Sequence, residues 1–121
     1  MIPAFVLLRI YQGQTFRDSI TLENDDGTPI DLTGRTARMQ VREHRGGALI
    51  IELTTENGRI NLTAQGKIEF HIPAPLTAQM PVPFDYAQWV YDLETAYFDD
   101  LEEIVEKPIF GAVVCFPEIT V

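Results

Sequence analysis

Residues 13–42 read GQTFRDSITLENDDGTPIDLTGRTARMQVR, and this stretch decides the fold class. Apolar and polar side chains alternate in two segments near its ends. The apolar positions that share a face are Phe16, Ile20 and Leu22 in the first segment, and Ala37, Met39 and Val41 in the second. A β-strand with one buried and one solvated face requires this period of two. The stretch therefore predicts two half-buried strands.

The segment between these strands, residues 24–29, is rich in residues that reverse a chain. Gly27 tolerates a positive φ, Pro29 fixes its own φ, and Asn or Asp side chains bond to the nearby backbone. The same acidic residues, together with Asp31, also suggest a calcium loop. Their spacing lacks the alternating oxygen ligands and the terminal glutamate of an EF-hand. Turn chemistry explains them unaided, and we predict a polar turn.

Further strand-like segments lie along the rest of the chain, at residues 4–11, 48–55, 59–63, 67–72, 86–98 and 104–121. Asn57-Gly58 predicts a type I′ hairpin turn, because both residues tolerate positive φ. The proline-rich residues 74–83 predict one short helical turn. Pro108 and Pro117 should lie at strand edges, bulges or ends, since proline cannot donate to a ladder.

This pattern predicts a single all-β domain over residues 1–121. Seven to nine short strands with one short helical turn fit an antiparallel, immunoglobulin-like β-sandwich. A closed barrel is the structural alternative. At 121 residues, the chain is long enough to bury one core without disulfides or metal.

Charge and composition exclude several classes of partner. The formal net charge of −9 disfavours nucleic-acid binding, which needs clustered Lys and Arg. No segment approaches the ~20 apolar residues of a membrane-spanning helix, and the start of the chain does not resemble a secretory signal. Cys115 is the only cysteine, and its apolar neighbours predict a buried, inert thiol. We expect neither nucleic acid nor membrane as a partner.

Residues able to perform chemistry are few and scattered. His44 falls in a turn and His71 on the polar side of a strand, so neither a metal-ligand spacing nor a nucleophile–base pair emerges. The acidic residues within 99–103 predict a solvated hairpin tip. We therefore predict no enzymatic activity, no cofactor and no metal site.

Aromatic residues concentrate in one segment of the chain. They are Tyr86, Trp89, Tyr91, Tyr97 and Phe98. The first interpretation is core filling, with Trp89 packed between the sheets. The alternative is an exposed stripe that stacks on sugar rings, which would make the chain a carbohydrate-binding module for a host-surface glycan.

The motif DGTPIDLTG at residues 26–34 occurs with GQTF at 13–16 before it and MQVR at 39–42 after it. Together with YDLE at 91–94 and the ending PEITV at 117–121, this pattern resembles small structural proteins of tailed bacteriophages and prophages. It is similar to the immunoglobulin-like N-terminal domain of baseplate upper proteins. The resemblance covers most of the chain, and its motifs are structural rather than catalytic.

The resemblance implies a virion component of a tail, baseplate or tail-fibre adaptor, made and assembled in the bacterial host cytoplasm. Its partners would be other tail or head-to-tail proteins and further copies of itself in a symmetric assembly. Because the chain stops at Val121, without the further modules of baseplate proteins, a small adaptor or decoration subunit is favoured over a receptor-binding fibre.

Two long apolar terminal segments, residues 4–11 and 109–121, suggest how such a subunit would assemble. One or both could exchange with, or add to, a sheet of a neighbouring subunit. The candidate interface residues are Phe5, Leu7, Ile10, Ile109, Phe110, Val114 and Phe116. Deletion of residues 1–8 is then expected to abolish assembly without unfolding the core. The alternative is that both segments form inner strands of their own sandwich.

Overall fold

The computed structural model describes residues 3–120, which form two β-sheets and one short helix. The predicted all-β fold is confirmed, and the sheets are mostly antiparallel. The strands are β1 (Ala4–Phe5), β2 (Leu8–Tyr11), β3 (Phe16–Thr21), β4 (Thr36–Arg42), β5 (Leu49–Thr54), β6 (Ile60–Leu62), β7 (Lys67–Ile72), β8 (Ala87–Asp99) and β9 (Glu102–Phe116). The helix α1 spans Ala74–Thr77 between β7 and β8.

The larger sheet has the order β1-β9-β8-β4-β5, and β2 follows β1 along the same side of β9. Both β1 and β2 run parallel to β9, whereas the other pairs are antiparallel. The smaller sheet has the order β3-β7-β6 and is antiparallel throughout. The two sheets are separate and have open edges, so the barrel alternative does not apply.

The core lies between the sheets and follows the predicted alternation. On β4, the inward residues Ala37, Met39 and Val41 are all buried. On β8, the same holds for Trp89 and for its neighbours on that face. The smaller sheet contributes Phe16 from β3 and its partner residues on β7, which complete one continuous apolar cluster. Local periodicity therefore identified the buried faces of β4 and β8 correctly.

The polar turn at residues 24–29 forms as predicted, with Gly27 at a φ of 85°. The Asp26 carboxylate accepts hydrogen bonds from the Thr28 amide at 3.0 Å and the Thr28 hydroxyl at 2.6 Å. These two bonds hold the pKa of Asp26 below its ordinary value. The turn does not join two neighbours in a sheet, because β3 belongs to the smaller sheet and β4 to the larger one.

The predicted type I′ hairpin at Asn57-Gly58 is wrong. β5 pairs with β4 and β6 pairs with β7, so this turn crosses from one sheet to the other. Gly58 has a positive φ but Asn57 does not. Instead, the Asn57 side chain accepts a hydrogen bond from the Thr54 amide at 3.0 Å and donates to the Glu52 carbonyl at 3.1 Å. These bonds fold the side chain back onto the end of β5 and redirect the chain.

The predicted proline effects are confirmed in β9. The register between β8 and β9 shifts where Lys107 and Pro108 stand opposite Glu94, which is a β-bulge. On the other side of β9, pairing with β1 begins only at Ile109. Pro117 follows the last residue of β9. Both prolines therefore lie at positions where the sheet does not need a hydrogen bond from a backbone amide.

Candidate functional site

The N-terminal edge of the larger sheet consists of β1 and β2, which pair with β9 on one side only. Phe5 lies opposite Phe110, and their rings meet edge to face with centroids 5.6 Å apart. Tyr11 lies opposite Phe116, and these rings stack at 5.2 Å. Both pairs project from the outer face of the sheet, away from the core. The edge therefore carries exposed aromatic surface as well as a strand with one unpaired side.

The edge is split into two strands by a close approach at Val6. The Val6 amide donates to the Phe110 carbonyl at 2.9 Å, but its own carbonyl turns inward and accepts the Tyr91 hydroxyl at 2.7 Å. Gly111 makes room for this carbonyl, since a Cβ at that position would overlap the Val6 oxygen. Burial raises the pKa of Tyr91, so its hydroxyl stays protonated and able to donate.

Five of the seven candidate interface residues lie on the surface side of this region. They are Phe5, Leu7, Phe110, Val114 and Phe116. The other two, Ile10 and Ile109, are only 2% and 1% exposed and belong to the core. The candidates divide in this way because neighbouring positions on one strand face opposite sides of the sheet. We therefore leave Ile10 and Ile109 out of the interface.

The terminal segments occupy different positions in the fold. From Ile109 onward, β9 is an inner strand between β8 and the N-terminal edge. The N-terminal segment is the edge itself, and its Leu8 is 1% exposed. Deletion of residues 1–8 would remove that core side chain, so we expect the deletion to destabilise the core as well as to remove the edge. Substitutions of exposed residues are the appropriate test.

Charged side chains cover the middle of the same outer face. Lys107 donates to the Asp92 carboxylate at 2.9 Å and lies 3.9 Å from that of Glu94. The bond to Asp92 raises the pKa of Lys107. Beside this cluster lies a surface depression of about 340 Å³, which includes Arg42, Arg45, Val90 and Phe110 in its lining. The sequence shows both arginines in a recurring series that forms no continuous basic stripe, and only tertiary structure brings the end of β4 and the turn after it beside Phe110.

The two histidines and the cysteine considered in the sequence analysis lie on different parts of the fold. His44 is exposed, and its Nδ1 lies 3.1 Å from the Arg45 carbonyl. His71 is half-buried on β7. Cys115 is fully buried, as predicted, and burial raises its pKa to about 11. Within residues 3–120, His, Cys, Asp and Glu form no group of three or more arranged to hold a metal ion, and no helix is long and apolar enough to cross a membrane.

The aromatic cluster does not form one exposed stripe. Trp89 and Tyr91 are buried between the sheets, so the core-filling interpretation holds for them. Tyr97 is half-buried, with the Arg35 guanidinium 4.3 Å from its ring centroid. Tyr86 and Phe98 are exposed at opposite ends of β8. Tyr86 lines a second depression, of about 410 Å³, beside Glu43 and Gln88.

No protein-family model matches this sequence, and no curated protein has a significantly similar sequence.

Proposed function

We propose that the chain is a non-enzymatic structural subunit of a phage virion, in a tail, baseplate or tail-fibre adaptor. The sequence resemblance supports the virion context. The geometry of the larger sheet supports assembly through protein–protein contacts. The partners would be other tail or head-to-tail proteins and further copies of the chain in a symmetric assembly.

The observation that carries this proposal is the N-terminal edge formed by β1 and β2. Among residues 3–120, their backbone forms strand pairs only with β9, and Phe5 on β1 is 64% exposed. An edge strand with exposed apolar side chains favours pairing with another chain. Addition of a neighbour's strand, or exchange of this short segment between subunits, would satisfy the free backbone groups and cover the aromatic rings. The net charge of −9 would keep the free subunit soluble until then.

Single lysine substitutions test this edge. F5K and L7K place a charge on exposed positions of the edge segment, a device by which natural proteins block strand addition. L49K is the matched control, because Leu49 is an exposed leucine on β5, at the opposite edge of the same sheet. We expect all three variants to fold. F5K and L7K should be excluded from assembled particles, while L49K should be incorporated at the wild-type level.

Quantitative mass spectrometry of purified particles measures this incorporation. A fixed ratio of the wild-type chain to other tail proteins is expected from closed symmetry. Absence of the wild-type chain from the particles would overturn the virion proposal. Normal incorporation of F5K and L7K would retain the virion proposal and reject the N-terminal edge as the contact.

A second candidate function is carbohydrate binding at the depression beside Tyr86. An exposed tyrosine ring next to the polar side chains of Glu43 and Gln88 is a combination that can stack on a sugar and bond to its hydroxyls. Titration of host-surface glycan into the wild type and Y86A by calorimetry tests this. Equal heats for the two proteins would exclude this surface.

A further inference from the structure

The hairpin between β8 and β9 extends beyond the rest of its sheet. Pairing of β4 with β8 stops at Ala96, so the last three residues of β8 pair only with β9. On the other side, β1 reaches β9 only at Ile109. Arg35 anchors the base of the hairpin through an ion pair with Glu106 at 3.0 Å. Residues 97–104 thus form a two-stranded arm.

The tip of this arm combines apolar and acidic side chains. Leu101 is 92% exposed and Phe98 is 68% exposed. Four acidic residues flank Leu101 in the sequence, at positions 99, 100, 102 and 103. Across residues 3–120, none of these four lies within 4.0 Å of a basic group. The tip therefore carries an exposed apolar side chain that is flanked in the sequence by four carboxylates without an ion pair among the described residues.

The depression on the outer face of the larger sheet carries positive charge, whereas the arm tip carries negative charge. Arg42 donates to two neutral acceptors, the Gln40 side-chain oxygen at 2.9 Å and the Gly47 carbonyl at 2.8 Å. Neither Arg42 nor Arg45 has a carboxylate within 4.0 Å in the described part of the chain. The apolar side chains of Val90 and Phe110 lie beside them.

One carboxylate also lines the depression, that of Asp92. It pairs with Lys107 at 2.9 Å, and Lys107 is shared with Glu94, whose carboxylate lies 3.9 Å away. The depression therefore presents two arginines that form no ion pair in the described residues, next to exposed apolar surface, in a chain whose net charge is −9. The positive charge of the depression is opposite to that of the arm tip, and both surfaces also expose apolar side chains that could cover each other.

The arm cannot reach the depression of its own molecule. Val90 lines the depression and Asp99 ends β8, and nine residues of one extended strand separate them. At a rise of ~3.3 Å per residue, the two sites lie about 30 Å apart. Any contact between them must join two molecules.

We infer that the arm tip of one copy docks in the Arg42–Arg45 depression of another. Leu101 and Phe98 would cover Val90 and Phe110, and the tip carboxylates would pair with the two arginines. Because the tip and the depression are different surfaces, the contact is heterologous, and repetition closes a ring or extends a filament. The inference deepens the proposed function by naming a self-contact. Its depression borders the N-terminal edge, with which it shares Phe110, whereas the arm tip and the two arginines lie outside that edge.

Two variants that remove charge, one at the arm tip and one in the depression, test the two sides of the contact independently. The tip variant is L101S/E102Q/E103Q, and the depression variant is R42Q/R45Q. Their charge-matched controls are D25N/E56Q and R17Q/K67Q, which alter exposed side chains of other loops and of the smaller sheet. Circular dichroism and Trp89 fluorescence establish that each variant folds.

Sedimentation velocity of the full chain measures association over a range of concentrations. In about 0.1 M salt, where the Debye length is ~10 Å, we expect the wild type and both controls to associate. In about 1 M salt, the association should weaken. Each neutralising variant alone should associate roughly tenfold more weakly or worse. An equimolar mixture of the two should form a 1:1 dimer, because one intact tip and one intact depression remain.

Three results would overturn the inference: a monomeric wild type at millimolar concentration, unchanged association of both variants, or no dimer in the mixture. The proposed virion function is judged separately, by the stoichiometry in particles and by F5K and L7K. If the variants associate normally but F5K does not, the self-contact lies at the N-terminal edge instead.

Discussion

Replacement of Gly111 by alanine should detach the N-terminal edge from β9. The added Cβ would overlap the Val6 carbonyl oxygen and lie 2.9 Å from the Val6 carbonyl carbon, both of them backbone atoms. The edge segment must then move away, which breaks the hydrogen bond from the Tyr91 hydroxyl to Val6. Overpacking costs about 1–3 kcal/mol, and a buried hydroxyl without its acceptor costs about 1–3 kcal/mol. We expect G111A to lower the free energy of unfolding by about 2–6 kcal/mol.

A double-mutant cycle with Y91F isolates the cause. Y91F alone removes the same hydrogen bond and should cost about 1 kcal/mol. If G111A leaves the Tyr91 hydroxyl buried without an acceptor, then Y91F added to G111A should cost nothing or recover part of the loss, which gives a coupling energy of at least about 1 kcal/mol. Urea denaturation followed by fluorescence of Trp89, the sole tryptophan, measures all four proteins. A cost below about 0.5 kcal/mol for G111A, or full additivity in the cycle, would refute this account of the split edge.

Three further predictions follow from burial and hydrogen bonding. I109A should lower the free energy of unfolding by about 2–5 kcal/mol in urea denaturation, because Ile109 is a core residue; a smaller loss would argue for an interface role. The pKa of Asp26 is lower in the folded protein than its ordinary value of 3.8, so ionised Asp26 stabilises the fold. This stabilisation is complete above pH 3.8 and is lost as the pH falls through the lower folded pKa. Hydrogen exchange at the Thr28 amide, which donates to Asp26, should therefore accelerate below the folded pKa. Cys115 should resist a thiol reagent at pH 8 until the protein unfolds, and rapid labelling of the native protein would contradict its burial.

The buried faces of the strands could be predicted from the sequence because alternation is a local property. On β8, Trp89, Tyr91 and Leu93 share one face by parity alone, and all three are buried. Parity within one strand does not depend on which strand lies beside it. The turn at residues 24–29 was predictable for the same reason, since its bonds join residues at most four positions apart.

The interface prediction was less accurate because apolar content does not reveal the direction of a side chain. Ile10 and Phe110 both lie in apolar terminal segments, yet the first is in the core and the second faces solvent. The parity of β9 is hard to assign from its sequence, because residues 109–116 are almost uniformly apolar or small. The bulge at Lys107-Pro108 also shifts the register between β8 and β9.

The sequence by itself determined which segments are strands, where most turns lie and which face is buried in the strands that alternate clearly, because these features depend on neighbours along the chain. Tertiary structure alone decided the sheet to which each strand belongs, since the same Asn57-Gly58 turn can close a hairpin or cross between sheets. It also placed Arg42 of β4 beside Val90 of β8 and near Phe110 of β9. Such a surface exists only after strands distant in sequence have paired, because pairing is set by packing of the whole core.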